Sequence, residues 1–262
     1  MTIGTTGHPV FSPRVRQYEA AGFRAWPAAS VHYDGTWMVR LTASHPAKRL
    51  NSINSLDPAD TGNIETRLAR AAQRFRAYGR PLTLRVTPLT PSDLINYCDD
   101  NGWSRIGPSL IMEAPINKMP LNTIVNQLPL RDIGRFVDAA IATGSVLAAN
   151  RAGLSEIIGS VEPAKGLFVR ETVGKAQSTL VCVQDGQLAG LFELATALQY
   201  RRQGHARALL LAALKWAAAK GAQKAWLQVE EANSAALELY SQIGFTPFYR
   251  YHYRVAPAGE LF

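Results

Sequence analysis

Along the second half of the chain the spacing of apolar residues changes at intervals, and each change predicts an element. Over residues 204–220, Ala206, Leu209, Leu210, Ala213, Leu214 and Ala217 recur every three or four positions while Arg207, Lys215 and Lys220 keep to the other side. That is a helix with one buried face, which Gly221 ends as a C-terminal cap. Residues 188–196 before it and 224–229 after it are apolar runs of strand length, so strand, helix and strand imply a parallel crossover. A second helix over 233–243 opens on Asn233, a good N-cap, and stops at Gly244, ahead of an aromatic strand over 245–255. Upstream, 165–173 and 178–183 read as a hairpin preceded by helices over 131–143 and 150–158.

The first half repeats this plan. A shift of 142 residues lays Gly62 on Gly204, Gly79 on Gly221 and Gly102 on Gly244, with Trp103 on Phe245. Between these glycines a helix over 64–78, a strand over 82–87 and a helix over 92–101 match their later counterparts in type and length. The chain therefore reads as α/β (α+β), two tandem lobes over 1–115 and 116–262, each a mixed twisted sheet flanked by helices. The seam is expected at 114–121, where Pro115 and Pro120 fall.

Composition sharpens the picture only a little. With 262 residues, 47% of them hydrophobic and 18% charged, the chain can bury a core without disulfides, and disorder is excluded. Cys98 and Cys182 are too few for a disulfide framework, which together with no secretion signal at the start points to a reducing, cytoplasmic setting. No run of about 18 apolar residues suggests a membrane span. The net charge of +8 is spread evenly and suits an anionic small molecule or weak nucleic-acid contact equally well; with nothing but that charge behind it, nucleic-acid binding is not the expected role. No metal is called for.

The chemistry lies in Gln199-Tyr200-Arg201-Arg202-Gln203-Gly204-His205-Ala206, between the strand at 188–196 and the long helix. Small residues at Gly204 and Ala206 let the backbone approach a ligand, and the first turn offers unpaired N–H groups at the positive end of the helix dipole. Arg201, Arg202 and Arg207 add positive charge where a pyrophosphate would sit. His205 reads as a surface residue, Cys98 as a small buried one, and Trp26 and Trp37 as core. Tyr249, Tyr251 and Tyr253 alternate with Arg250, His252 and Arg254 as in a half-buried strand.

Arg201, Gly204 and Ala206 fit the first signature of the GNAT superfamily of acyl-CoA-dependent N-acyltransferases, and Asn233, Ala236, Leu239, Tyr240, Gly244 and Phe245 fit its second. Over residues 130–255 the chain resembles that superfamily, in its tandem form. The resemblance implies acetyl-CoA as co-substrate. The backbone of Leu194, Ala195 and Thr196 would pair with the pantetheine arm. Arg201, Arg202, Gln203, Gly204, His205, Ala206 and Arg207 would hold the pyrophosphate. Asn233 would bond the arm, and Tyr240, whose phenol has a pKa of about 10, would protonate a leaving thiolate of about 8.5.

An amine would attack the thioester directly, in a ternary complex. Its proton needs an acceptor, and related enzymes often carry a glutamate where this chain has Gln228. Glu193, Glu230 and Glu231 are the substitutes. A non-catalytic acyl-CoA sensor is the alternative, and neither the acceptor nor the oligomeric state can be read. The same shift puts Ala59 for Arg201 and Ile64 for Ala206, with Asp57 and Asp60 in the equivalent loop, where carboxylates would repel a pyrophosphate. The first lobe is thus expected to be degenerate and not to bind cofactor, and to close a wall of the acceptor site with Arg49, Asn51 and Asn54.

Overall fold

The computed structural model describes residues 11–258, which fall into two compact units. In chain order the elements are α1 (Phe11–Ala25), β1 (Ser30–Asp34), β2 (Trp37–Leu41), β3 (Ser52–Ser55), α2 (Ile64–Ala77), β4 (Thr83–Val86), α3 (Ser92–Asp100) and β5 (Ser104–Pro115). There follow α4 (Ile133–Ala142), α5 (Arg151–Gly159), β6 (Ala164–Thr172), β7 (Lys175–Asp185), β8 (Leu188–Thr196), α6 (His205–Ala219), β9 (Lys224–Glu230), α7 (Ser234–Ile243) and β10 (Thr246–Val255).

The units do not divide the chain as 1–115 and 116–262. The first takes residues up to Phe23, Ala28–Pro108 and those from Tyr249 on; the second takes Arg24–Pro27 and Ser109–Phe248. The segment expected to be a seam is the end of β5 and a short 3-10 helix, Ile116–Lys118. Ala114, Ile116 and Met119 there are buried in the core of the second unit, so Pro115 ends a strand, Pro120 opens a second short 3-10 helix, and neither marks a linker.

In the first unit the strands neighbour one another as β1-β2-β3-β4-β10, with β3 and β4 parallel and β10 antiparallel to β4. One face packs Trp37, Val39, Ile53 and Leu84 against Leu68, Ala72 and Phe75 of α2 and Leu94 and Cys98 of α3. The other face buries an ion pair. Arg85 donates through Nε and Nη2 to both oxygens of Glu19 on α1, at 3.0 and 2.9 Å. Tyr249 donates to Glu19 at 2.6 Å, Arg85 reaches the Tyr253 hydroxyl at 3.2 Å, and its guanidinium lies 3.5 Å over the Tyr251 ring. The alternation of β10 has thus put its tyrosines inside.

In the second unit the order is β5-β9-β8-β7-β6, with β8 and β9 parallel. Leu180 and Cys182 of β7 pack into the cluster under α6, while the intervening Val181 and Val183 are buried without joining it, so β7 is covered on both sides. Trp26 stacks on Phe192 at 5.1 Å between ring centres, and Phe192 meets Trp226 edge-on.

Candidate active site

The start of α6 is shaped by its loop. Arg202 and Gly204 both have positive φ, 60° and 80°, so the backbone turns sharply twice before the helix begins. Gly204 is the position that needs no Cβ, and Cβ-sized space there meets no atom within 4 Å. The first helical bond runs from Ala208 N–H to Gly204 C=O, so the amides of His205, Ala206 and Arg207 have no acceptor in the helix. Arg201, Arg202 and Arg207 are exposed around them. Arg201 Nε donates to Thr196 C=O at 3.3 Å, and Arg202 makes a loose 3.8 Å pair with Glu238. Open amides at the positive end of a helix, with three exposed guanidiniums about them, can receive an anion. His205 departs from the surface expectation: it is half-buried, edge-on to Tyr200 at 6.1 Å, and its Nε2 is buried without a partner.

The strand that leads into this loop parts from its neighbour. The β8/β9 ladder pairs Leu188 with Lys224 through Leu191 with Leu227 and stops, although β8 runs on to Thr196 and β9 to Glu230. On its other side β8 keeps its ladder with β7 to Thr196, except for an irregularity between Thr179 and Val181. Thr179 faces Ala195 and Val181 faces Phe192, so Glu193 and Leu194 together oppose Leu180. Glu193 is the bulged residue and carries a φ of 53°. Leu194, Ala195 and Thr196 therefore lie beyond the parallel ladder, where an extended ligand arm can add as a strand.

On the far side α7 brings Asn233 and Tyr240. Asn233 caps the helix, its side-chain oxygen accepting from Ala236 N–H at 3.1 Å, which leaves its amide NH2 as the donor for a ligand. Tyr240 is buried among Ile243 and Phe245, and its hydroxyl has no hydrogen-bond partner among the described residues. Burial pushes its pKa up to about 12, above the ordinary value near 10 expected from the sequence. Tyr240 thus holds its proton at any working pH. Of the carboxylates, Glu193 is half-buried and accepts from Ser145 Oγ at 2.8 Å; Glu230 is exposed at the end of β9. Gln228 lies on the same face of β9 as Trp226 and Glu230, by the alternation of the strand. The bulge at Glu193 and the hydroxyl of Ser145 carry no signal in the sequence, because both depend on how strands and a helix end meet.

A family model matches almost the whole of the described chain. The family described as "Probable histone acetyltransferase Rv0428c C-terminal" covers residues 12–254. The chain belongs to that family. It is a GNAT-superfamily N-acetyltransferase, a group whose members use acyl-CoA and an amine. The "Uncharacterized N-acetyltransferase YobR" of Bacillus subtilis is 24% identical over 92% of this chain and 98% of its own. A GCN5-related N-acetyltransferase from Kribbella flavida has a similar fold, with TM-score 0.66 at 15% identity over 95% of this chain and 97% of that one. So has a tandem GNAT protein from the clavulanic acid biosynthesis pathway, with TM-score 0.61 at 13% identity over 92% and 87%.

Within this GNAT protein the first unit is built differently at the equivalent places. The β3/β4 ladder includes Asn54, one residue short of the end of β3, and β2 pairs with β3 without a register shift. No slot opens, and no bulge forms. In the loop before α2, Asp60 accepts both terminal nitrogens of Arg67, at 2.8 and 2.9 Å, and the amide and hydroxyl of Thr36, at 3.0 and 2.6 Å. These bonds hold its carboxyl well below the usual carboxylate range. Asp57 accepts from Ala59 N–H at 3.1 Å.

Asn51 and Asn54 are not presented to a substrate as expected. Both are buried, and their amides bond the carbonyls of His45 and Ala47 and of Met38 and Ser52. Cys98 is buried and its thiol is pushed up to about 12, which suits packing and not nucleophilic work. Among the described residues no helix is long and apolar enough to cross a membrane.

Proposed function

We propose that the protein transfers an acetyl group from acetyl-CoA to an amine in a ternary complex, at one site per chain carried by the stretch from 116 to 262. The observation that carries this reading is the early end of the β8/β9 ladder beside the open amides of α6. The pyrophosphate lies on the amides of His205, Ala206 and Arg207 and on the loop from Arg201 through Gln203 and Gly204. The pantetheine arm runs along Leu194, Ala195 and Thr196, with the Leu194 N–H on the thioester carbonyl, and Asn233 donates its amide to the arm. The residues fit this ligand because no side chain fills the turn at Gly204.

In the reaction the amine nitrogen bonds to the carbonyl carbon and the carbon–sulfur bond breaks. Glu193, with Glu230 and Glu231 as the other candidates, takes the amine's proton directly or through a water. Tyr240 gives its proton to the departing sulfur. A phenol at about 12 is a weaker acid than one at 10, but the burial that raises it also raises a thiol beside it, so the two stay within reach. Both groups reset by exchange with water. The acceptor arrives as an ammonium, drawn to the carboxylates beyond the parallel ladder, and loses one proton to water before it attacks as the free amine. The first unit keeps no second site, because Asp60 is already the anion of its loop and its strands do not part.

Titration calorimetry with acetyl-CoA tests this: one mole per mole of chain is expected, and two would overturn the one-site reading. Thiol release across a panel of amines tests turnover. Tyr240→Phe is expected to lose about 10²-fold in kcat with the acetyl-CoA Kd within a factor of two.

A further inference from the structure

We propose that Ser145 is a positioning residue for transfer, aiming the Glu193 carboxylate from the end of α4. The proposal rests on the reading of Glu193 as the proton acceptor. Helix α4 closes with Gly144 at φ 77°, its N–H bonding Ile141 C=O at 3.0 Å and the next N–H, that of Ser145, reaching back to Ala140 C=O at 3.0 Å. This pair of bonds is the Schellman closure, and it fixes the backbone of Ser145 before any side chain is considered. The Ser145 hydroxyl then donates to Glu193 Oε2 at 2.8 Å across 48 positions of chain.

The same helix end reaches the bulge a second way. Thr143, which caps α4, donates through Oγ1 to Ala140 C=O at 3.1 Å, and its oxygen lies 3.2 Å from Thr179 Oγ1. Thr179 in turn lies 3.4 Å from Glu193 C=O. Thr143 and Thr179 are both buried, so this polar chain is sheltered from water. Glu193 is thus held at its main chain and at its carboxylate by one rigid turn. That restraint meets a need of its own, since a bulged non-glycine residue at positive φ is otherwise a strained one.

A carboxylate presents two oxygens, and fixing one sets the direction of the other. With Oε2 accepting from the Ser145 hydroxyl, the plane of the Glu193 carboxylate is set, and with it the direction from which a proton is taken. Ser145 keeps its own proton throughout and donates before and after transfer, so it changes no bond in the reaction. Losing it removes one restraint on the carboxylate and lowers the fraction of complexes with the acceptor oxygen aligned.

Steady-state kinetics of the full chain test this in three variants. Ser145→Ala is expected to lower kcat about tenfold, with the acceptor KM, the acetyl-CoA Kd and the Tm unchanged. Ser145→Thr, which keeps a hydroxyl at the same place, is expected to recover most of that loss. Ser145→Ala added to Glu193→Gln is expected to cost nothing further, because there is no base left to aim. An unchanged kcat in Ser145→Ala, or the same tenfold loss in the Glu193→Gln background, overturns the positioning role. Should Glu193→Gln itself leave kcat intact, the assignment of the base falls, and the role of Ser145 with it. Should Glu193→Gln lose activity while Ser145→Ala does not, only the positioning role falls.

Discussion

Single residues decide most of what this site can do, and they were legible to different depths. Gly204 could be picked out from its spacing to Arg201 and Ala206, and its φ of 80° gives the physical reason: an L side chain there is strained. Gly204→Val is expected to cost about 1–2 kcal/mol in Tm-derived stability and to weaken acetyl-CoA binding by more than tenfold. Tyr240 could be named from the sequence, but its acidity could not, because a pKa of about 12 is set by neighbours such as Ile243 and Phe245 that only the fold assembles.

His252 shows the same dependence on surroundings. Burial first, and then Arg105 and Arg254, lower its pKa from 6.5 to about 4. Between these values the unfolded chain binds a proton that the folded chain does not, so stability falls as pH drops through that window. The ring is only part-buried, so the loss is expected to be about 1 kcal/mol. Thermal melts from pH 7 to 4 check it, and His252→Gln should flatten the decline.

Elements were read with their types and near their ends wherever a strong period met a clear stop. The long helix, α7 and the strands on either side of them appear within a residue or two of the expected bounds, because Gly221, Gly244 and Asn233 act locally. Nothing in the pattern announces α1 or the hairpin of β1 and β2. All five residues of β2 are buried, so no alternation marks it, and the buried face of α1, with Val15 and Tyr18, is interrupted by the charged Glu19. The bulge in β8 is equally silent, since it is a mismatch between two strands and belongs to neither. At this scale Asn233→Ala is expected to cost about 1 kcal/mol through loss of the α7 cap and to weaken acetyl-CoA binding as well, measured by melting and calorimetry together.

For the whole molecule, the repeated pattern of glycines and elements was enough to read the fold class but not the boundary, because a repeat in sequence does not say where contacts close. The buried pair of Glu19 and Arg85 in the first unit makes the difference measurable. Burial opposes the charge on Arg85 and Glu19 outweighs it, so the guanidinium stays protonated. Removing one partner strands the other: Arg85→Met is expected to destabilise by about 3–5 kcal/mol, and adding Glu19→Leu to recover most of it, as read by chemical denaturation.

Two strands, β5 and β10, each begin in one unit and finish in the other. During synthesis, therefore, the unit that emerges first cannot be completed first. Tyr249 and Tyr253, which surround its buried charges, leave the ribosome only after the second unit's stretch up to Phe248. A gene fragment ending at residue 115 would encode a half with an empty strand position, so the two units cannot be expressed by cutting the chain once between them.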